Sequence, residues 1–370
     1  MKSAMPGRET HIDALKLIAS QLIVLHHFVS YGPLADALDT AAPKLTDWFF
    51  DYARMAVQVF LVLGGYLAVR SLAPAGVARV ISPGRLILQR YQRLILPLLA
   101  ALLLAVTSAA LARHWSHGDF IPDLPTWRQV LSHATLSNGV LGYPTLSAGV
   151  WYVAIDFQLF VLITLLLWRG SHPRWRYAPL LGLMLASLFF FNRDEDLDNW
   201  AVYFFGAYGL GAATFWASNS RHPGWRLGLL AGAGLLALMF DFRERIAVAL
   251  AVALLLGWLQ WRTRSAPFHS HLPVWLLRLI GQLGKTSYAL FLVHFSVLLI
   301  GNVLFERLGL RGSGPAALTL LCCWAASLAL ALLFERWVET PLARLGHRFS
   351  KSATRANASG PRQSNSPRTR

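Results

Sequence analysis

The stretch DALKLIASQLIVLHHF, Asp13 to Phe28, decides how the chain is read. It is apolar over nearly the length of a membrane crossing, yet it holds a lysine at 16 and a histidine pair at 26 and 27. A spanning helix needs roughly 20 predominantly apolar residues, and the run near 12–30 meets that length. A cleaved leader has a similar outline, but Lys16 and His26-His27 break up the uninterrupted apolar region it requires. The segment therefore reads as a retained first span. A charge in hydrocarbon costs a few kcal/mol on insertion scales, so Lys16 and His27 should face a partner or a cavity.

Working outward, nine further apolar runs fall near 52–71, 91–112, 149–168, 177–192, 199–217, 225–240, 245–261, 283–305 and 314–338. The expected fold is an all-α polytopic membrane protein of about ten transmembrane helices. Composition agrees: 55% of the residues are hydrophobic and only 14% are charged, against roughly 25% charged in a soluble protein. If the N-terminus is inside, 22 lysines and arginines fall in inside segments and 8 in outside ones. Asp36, Asp39, Asp47, Asp51 and Asp194-Glu195-Asp196 then fall outside. That asymmetry follows the positive-inside rule and puts both termini in the cytoplasm. The net charge of +16 is spread over alternate loops rather than one groove, so no nucleic-acid partner is expected. Cys322 and Cys323 are adjacent in an apolar run and lack metal-ligand spacing, so no metal is expected. Residues 1–345 read as a membrane domain and 346–370 as a basic, disordered cytoplasmic tail too poor in apolar residues to fold. With no soluble catalytic domain in the sequence, chemistry is expected within the membrane part.

Few ionisable or strongly polar groups lie inside the runs. Lys16 and His27 are eleven residues apart, about 20° around a helix and about 16 Å along it, so they share a face. His26 is turned away by about 100°. Asp156 on the fourth run, descending from the outer surface, comes level with His27. His294 on the ninth and Gln58 on the second reach a similar depth. A second cluster, Lys16, Arg90, Arg93 and Lys285, gathers at the cytoplasmic ends, where basic groups suit a phosphate-bearing ligand. Each residue also has a plainer reading: Arg90 and Arg93 as positive-inside anchors, Lys16 as a snorkelling side chain, either histidine as a hydrogen-bonded core residue. The coincidence of depth across four helices favours a site. A transporter or flippase would use the same polar layer as a substrate path, and a membrane sensor is a third reading.

DALKLIASQLIVLHHF resembles the first helix of the bacterial acyltransferase family three, marked by a basic residue, ten residues, then histidine: here Lys16 and His27. AVQVFLVLGGYL (Ala56 to Leu67), RLILQRYQRLILP (Arg85 to Pro97), GVWYVAIDFQLF (Gly149 to Phe160), GKTSYALFLVHF (Gly284 to Phe295) and ERWVETPL (Glu335 to Leu342) resemble further segments of that family, in its order. Lys16 stands where arginine is commoner, Gln58 where an acidic residue is usual, and Asp156 where glutamate is frequent. The resemblance implies a bacterial inner-membrane, multi-pass O-acyltransferase moving an acyl group, acetyl from acetyl-CoA in many members, to a hydroxyl of an envelope glycan or lipid-linked sugar. On that reading Lys16, Arg90, Arg93 and Lys285 hold the phosphates of acyl-CoA. His27 is the general base or briefly carries the acyl group, and Asp156 orients or charge-balances a histidine. His294 is a further catalytic candidate. Gln58, Trp151, Tyr152, Ser287 and Tyr288 are candidates to line the substrate path, in contact with membrane lipids around the bundle.

Overall fold

Backbone N–H and C=O groups in hydrocarbon must be satisfied within their own segment, which favours helices over any open sheet. All regular structure among the described residues of the computed structural model is helical. The structure describes residues 10–77, 82–169, 177–265 and 272–344. The expected tail at 346–370 lies outside them.

In chain order the helices are α1 (Thr10–Phe28), α2 (Pro33–Asp39), α3 (Pro43–Asp51), α4 (Val57–Leu72), α5 (Pro83–Trp115), α6 (Trp127–Ala134) and α7 (Val150–Arg169). They continue with α8 (Ala178–Phe189), α9 (Ala201–Ser218), α10 (Pro223–Phe240), α11 (Glu244–Ser265), α12 (Val274–Lys285), α13 (Ser287–Arg307) and α14 (Ser313–Phe334). Seven helices are long and apolar enough to cross a membrane, and eight if the bent pair α1 and α2 counts as one span. The expected runs at 177–192 and 199–217 are helical as α8 and α9, but neither is among those seven.

Three expectations are corrected by the helix ends. The ninth run breaks at Thr286, so Lys285 closes α12 while Ser287, Tyr288 and His294 belong to α13. The third run starts at Pro83 rather than 91, so Arg90 lies seven residues inside α5, about 10 Å from its end. The tenth run passes into a π-helical turn at Glu335–Glu339.

The centre of the bundle is α9, of whose residues only Val202 is not buried. It packs against α4, α7, α8, α10 and α11. Its contact with α4 is made backbone to backbone: a Cβ on Gly65 would stand 1.8 Å from the Tyr208 carbonyl oxygen, and one on Gly211 1.9 Å from that of Val62. Close approach through small residues is how helices associate in lipid, where burial of apolar side chains gives little drive. The site lies beside this core, where α1, α4, α5, α7 and α13 converge.

Candidate functional site

His27 is in the last turn of α1 and is buried at 7% exposure, and His294 is in the second turn of α13 at 0%. The His27 Nδ1 lies 2.7 Å from the His294 Nε2. The rings meet edge to edge, with centroids 4.9 Å apart and planes 9° from parallel. Nδ1 of His294 lies 3.0 Å from the Leu290 carbonyl oxygen, one turn back. That oxygen can only accept, so for a neutral pair the His294 Nδ1 carries the hydrogen and its Nε2 accepts. His27 then donates from Nδ1, which leaves a lone pair on its Nε2. Among the described residues no hydrogen bond reaches that nitrogen.

The surroundings of His27 are aromatic and close. A Cβ on Gly149, just before α7, would stand 2.8 Å from the Phe291 ring and 3.5 Å from the His27 ring. Tyr152, one turn into α7, packs edge-on to Phe291, and Phe60 and Trp151 continue the wall. The loop leading to Gly149 is tied down at His133, which is outside the spanning helices and fully buried. Its Nδ1 donates to the Gln129 carbonyl, at 2.8 Å, and its Nε2 accepts from the Leu146 N–H, at 3.2 Å. Burial lowers the His133 pKa below its ordinary 6.5, partly offset by the bond to Gln129.

Asp156 is buried at 7% exposure, but its partner is not a histidine. Oδ2 of Asp156 accepts from Nη2 of Arg90 at 2.5 Å. The same guanidinium lies over the Phe160 ring, 5.3 Å from its centroid, one helical turn from Asp156. Two expectations are corrected together. The carboxylate expected beside a catalytic histidine is taken by an arginine, and an arginine expected at the cytoplasmic surface reaches the polar layer. The physical reason is the early start of α5, which carries Arg90 inward. Nε of Arg90 is buried and has no hydrogen-bond partner among the described residues. Tyr208 of α9 also reaches this pair: a Cβ on Gly64 would be 2.9 Å from the Tyr208 ring and 3.8 Å from the Asp156 carboxylate. Nothing in the local sequence around Tyr208 marks it as a site residue.

The basic cluster is divided. Lys16 is half-buried on α1. The α12 helix packs along α1 so closely that a Cβ on Gly284 would be 2.6 Å from the Asp13 carbonyl oxygen. Lys285, which is exposed, therefore lies by the first turns of α1, as Lys16 does. Arg93 is exposed and within electrostatic range of Glu339, in the π-helical turn. Of the remaining candidates, Gln58 is buried at the start of α4. The Ser287 hydroxyl donates to the Gly284 carbonyl at 2.9 Å, and the Tyr288 hydroxyl to the Leu94 carbonyl at 3.1 Å. The first closes the turn between α12 and α13, and the second joins the start of α13 to α5. Among the described residues no group of three or more His, Cys, Asp or Glu could hold a metal ion.

The arrangement can remove a proton from a ligand at His27 Nε2, beside a wall of aromatic rings, with the partly buried Arg90 guanidinium also within the bundle. A family model described as an acyltransferase domain matches residues 9–336. No curated protein and no solved structure matches the chain.

Proposed function

Since this chain belongs to the acyltransferase-domain family, we propose that it is an O-acyltransferase using acyl-CoA, in the simplest case acetyl-CoA, from the cytoplasm. The acceptor on this reading is a hydroxyl of an envelope glycan or lipid-linked sugar on the far side of a bacterial inner membrane. The chain would cross that membrane ten times, with both termini in the cytoplasm.

His27 Nε2 takes the proton of the acceptor hydroxyl as its oxygen attacks the thioester carbonyl carbon. The C–O bond forms, the C–S bond breaks, and the proton returns from His27 to the departing CoA sulfur. The products are an acyl ester and the CoA thiol. His294 positions His27 and shares the charge that His27 acquires; the Leu290 carbonyl fixes the tautomer of His294. Histidine suits the role because its unperturbed pKa, about 6.5, is near the working pH. Lys16, Arg93 and Lys285 receive the phosphates of the donor by charge-assisted hydrogen bonds. Arg90, held by Asp156, offers its remaining N–H groups to the donor deeper in the bundle. Gln58, Trp151 and Tyr152 line the path to His27.

The observation that carries this reading is the His27–His294 hydrogen bond, which leaves a lone pair on the His27 Nε2 beside the rings of Phe291 and Tyr31. The test is mass spectrometry of envelope glycans from cells with and without the gene, together with turnover of radiolabelled acetyl-CoA by purified protein. Loss of an ester-linked acyl group with the gene is the expected result. Unchanged glycan and lipid esters, with no acetyl-CoA turnover by the pure protein, would remove the proposal.

A further inference from the structure

Between α1 and α2 the chain turns through 93°, and the turn is clamped from one residue. Asn302 of α13 is buried at 1% exposure. Its Oδ1 accepts from the Leu34 N–H at 3.0 Å, and its Nδ2 donates to the Tyr31 carbonyl at 3.2 Å. Gly32, at φ +80°, lies against the same amide; a Cβ there would stand 2.6 Å from Oδ1. Only glycine combines that conformation with that approach. Both sides of the bend are therefore fixed to the helix that carries His294.

The clamp fixes the place of Tyr31. Its ring lies 6.0 Å from that of His27 and meets Phe295 edge-on at 5.6 Å. The residue remains 38% exposed, and among the described residues nothing bonds its hydroxyl. The neighbouring His26 is tied to α3: its Nδ1 lies 3.3 Å from the Phe49 carbonyl oxygen and its ring 5.7 Å from that of Phe50. His27 thus has a fixed tyrosine and a fixed histidine as ring neighbours. A tyrosine that only anchors a helix at the membrane surface turns its ring to lipid headgroups. This ring instead lies against His27 and the buried Phe295, with part of its surface exposed.

We infer that Tyr31 contacts the acceptor: its ring is the outer wall of the His27 pocket and stacks on the C–H face of a pyranose whose hydroxyl is presented to His27. This rests on the O-acyltransferase reading above and names the substrate class of its outer side. A rigid aromatic face with few rotatable bonds binds at small entropic cost. A sugar lying on it has hydroxyls in its own ring plane, so one can come within hydrogen-bond reach, about 3 Å, of an adjacent base. Asn302 acts through Tyr31 and is a positioning residue.

The experiment uses the full chain in lipid nanodiscs, radiolabelled acetyl-CoA as donor, and two acceptors: methyl β-glucopyranoside, and glycerol, which has hydroxyls but no ring face. Acetyl-CoA hydrolysis without acceptor is measured alongside. Tyr31→Ala should raise the half-saturating glucoside concentration about tenfold, as loss of one ring contact implies, and that for glycerol by much less. Tyr31→Phe should behave as the parent, because the ring rather than the hydroxyl makes the contact. Unchanged glucoside saturation in Tyr31→Ala, or equal losses for both acceptors, overturns the inference. Transfer by the parent to glycerol but not to the glucoside overturns it as well. If the parent neither transfers nor hydrolyses the donor, the O-acyltransferase reading itself falls, and this inference with it.

Discussion

The imidazoles of His27 and His294 lie 9° from parallel, with Nδ1 of the first 2.7 Å from Nε2 of the second. One imidazole is thereby oriented by a second, and that one by a main-chain carbonyl; among the described residues no carboxylate bonds either ring. His27→Ala should lower transfer by roughly a hundredfold or more, the usual worth of a positioned general base. His26→Ala should keep most activity, since His26 bonds the Phe49 carbonyl instead. Rates of both purified variants at saturating donor decide it, and a His27→Ala protein with normal turnover ends the assignment.

On the proposed mechanism His294 acts through His27, so its effect should appear in turnover and not in donor affinity. His294→Phe keeps the packing but removes the acceptor for the His27 Nδ1 hydrogen. We expect kcat to drop roughly tenfold to a hundredfold, within the range a general base supplies, while the acetyl-CoA KM stays within about twofold of the parent. His294→Gln, which retains an acceptor, should recover part of the rate. Equal changes in KM and kcat for both variants would point to general disruption instead.

Asp156 and Arg90 form a largely buried pair. Removing one member of such a pair typically costs about 3–5 kcal/mol, because the other charge is left uncompensated. Asp156→Asn should therefore lower the thermal stability of the detergent-solubilised protein. The double change Asp156→Leu with Arg90→Met should restore much of that stability and still bind acyl-CoA poorly. Thermal unfolding and donor affinity on the three proteins separate the two roles. Strong donor binding by the double variant would show that Arg90 does not touch the donor.

His133 gives a pH dependence with a definite sign. The folded chain needs the ring neutral, since its Nε2 accepts from Leu146, and burial lowers its pKa below 6.5. Above about pH 6.5 the ring is neutral in folded and unfolded chains alike. Below that the unfolded chain gains the proton first, so stability falls from pH 6.5 down to the folded pKa and then levels off. Midpoints of thermal unfolding between pH 7.5 and pH 4.5 should decline more steeply in the parent than in His133→Gln. Parallel curves would mean that the loop before Gly149 is not held by this ring.

The proposed orientation is tested by placing cysteines after replacing Cys322 and Cys323 with alanine. Leu124→Cys, in an exposed part of the loop between α5 and α6, should label with a membrane-impermeant maleimide in spheroplasts. Ser350→Cys should label only after the membrane is opened. Labelling of both from one side would overturn the ten-crossing arrangement.

The apolar runs and the alternating charges made the helices legible, because lipid forces long uncharged segments. Depth was legible too: His27 and His294 were expected in one layer and do meet. What the sequence withheld was azimuth and pairing. A helix register gives the face of His27 relative to Lys16, but not which neighbour that face meets, so Asp156 was matched with a histidine when Arg90 was within reach. The start of α5 mattered most. An apolar window places the span at 91, whereas Pro83 begins the helix and draws Arg90 in. The break at Thr286 and the clamp at Asn302 depend on contacts between distant segments and leave no local signal.

The α9 helix, enclosed on every side and joined to α4 through its glycines, has a consequence for biogenesis. A helix that is not apolar enough to be counted as a spanning segment on its own gains little from leaving the insertion machinery alone. Such a helix is expected to rely on its neighbours to stay in the bilayer. Since α4 is synthesised before it and α11 after it, its packing is complete only once α11 has emerged. The order of synthesis thus makes α11 the last of these partners to close around α9.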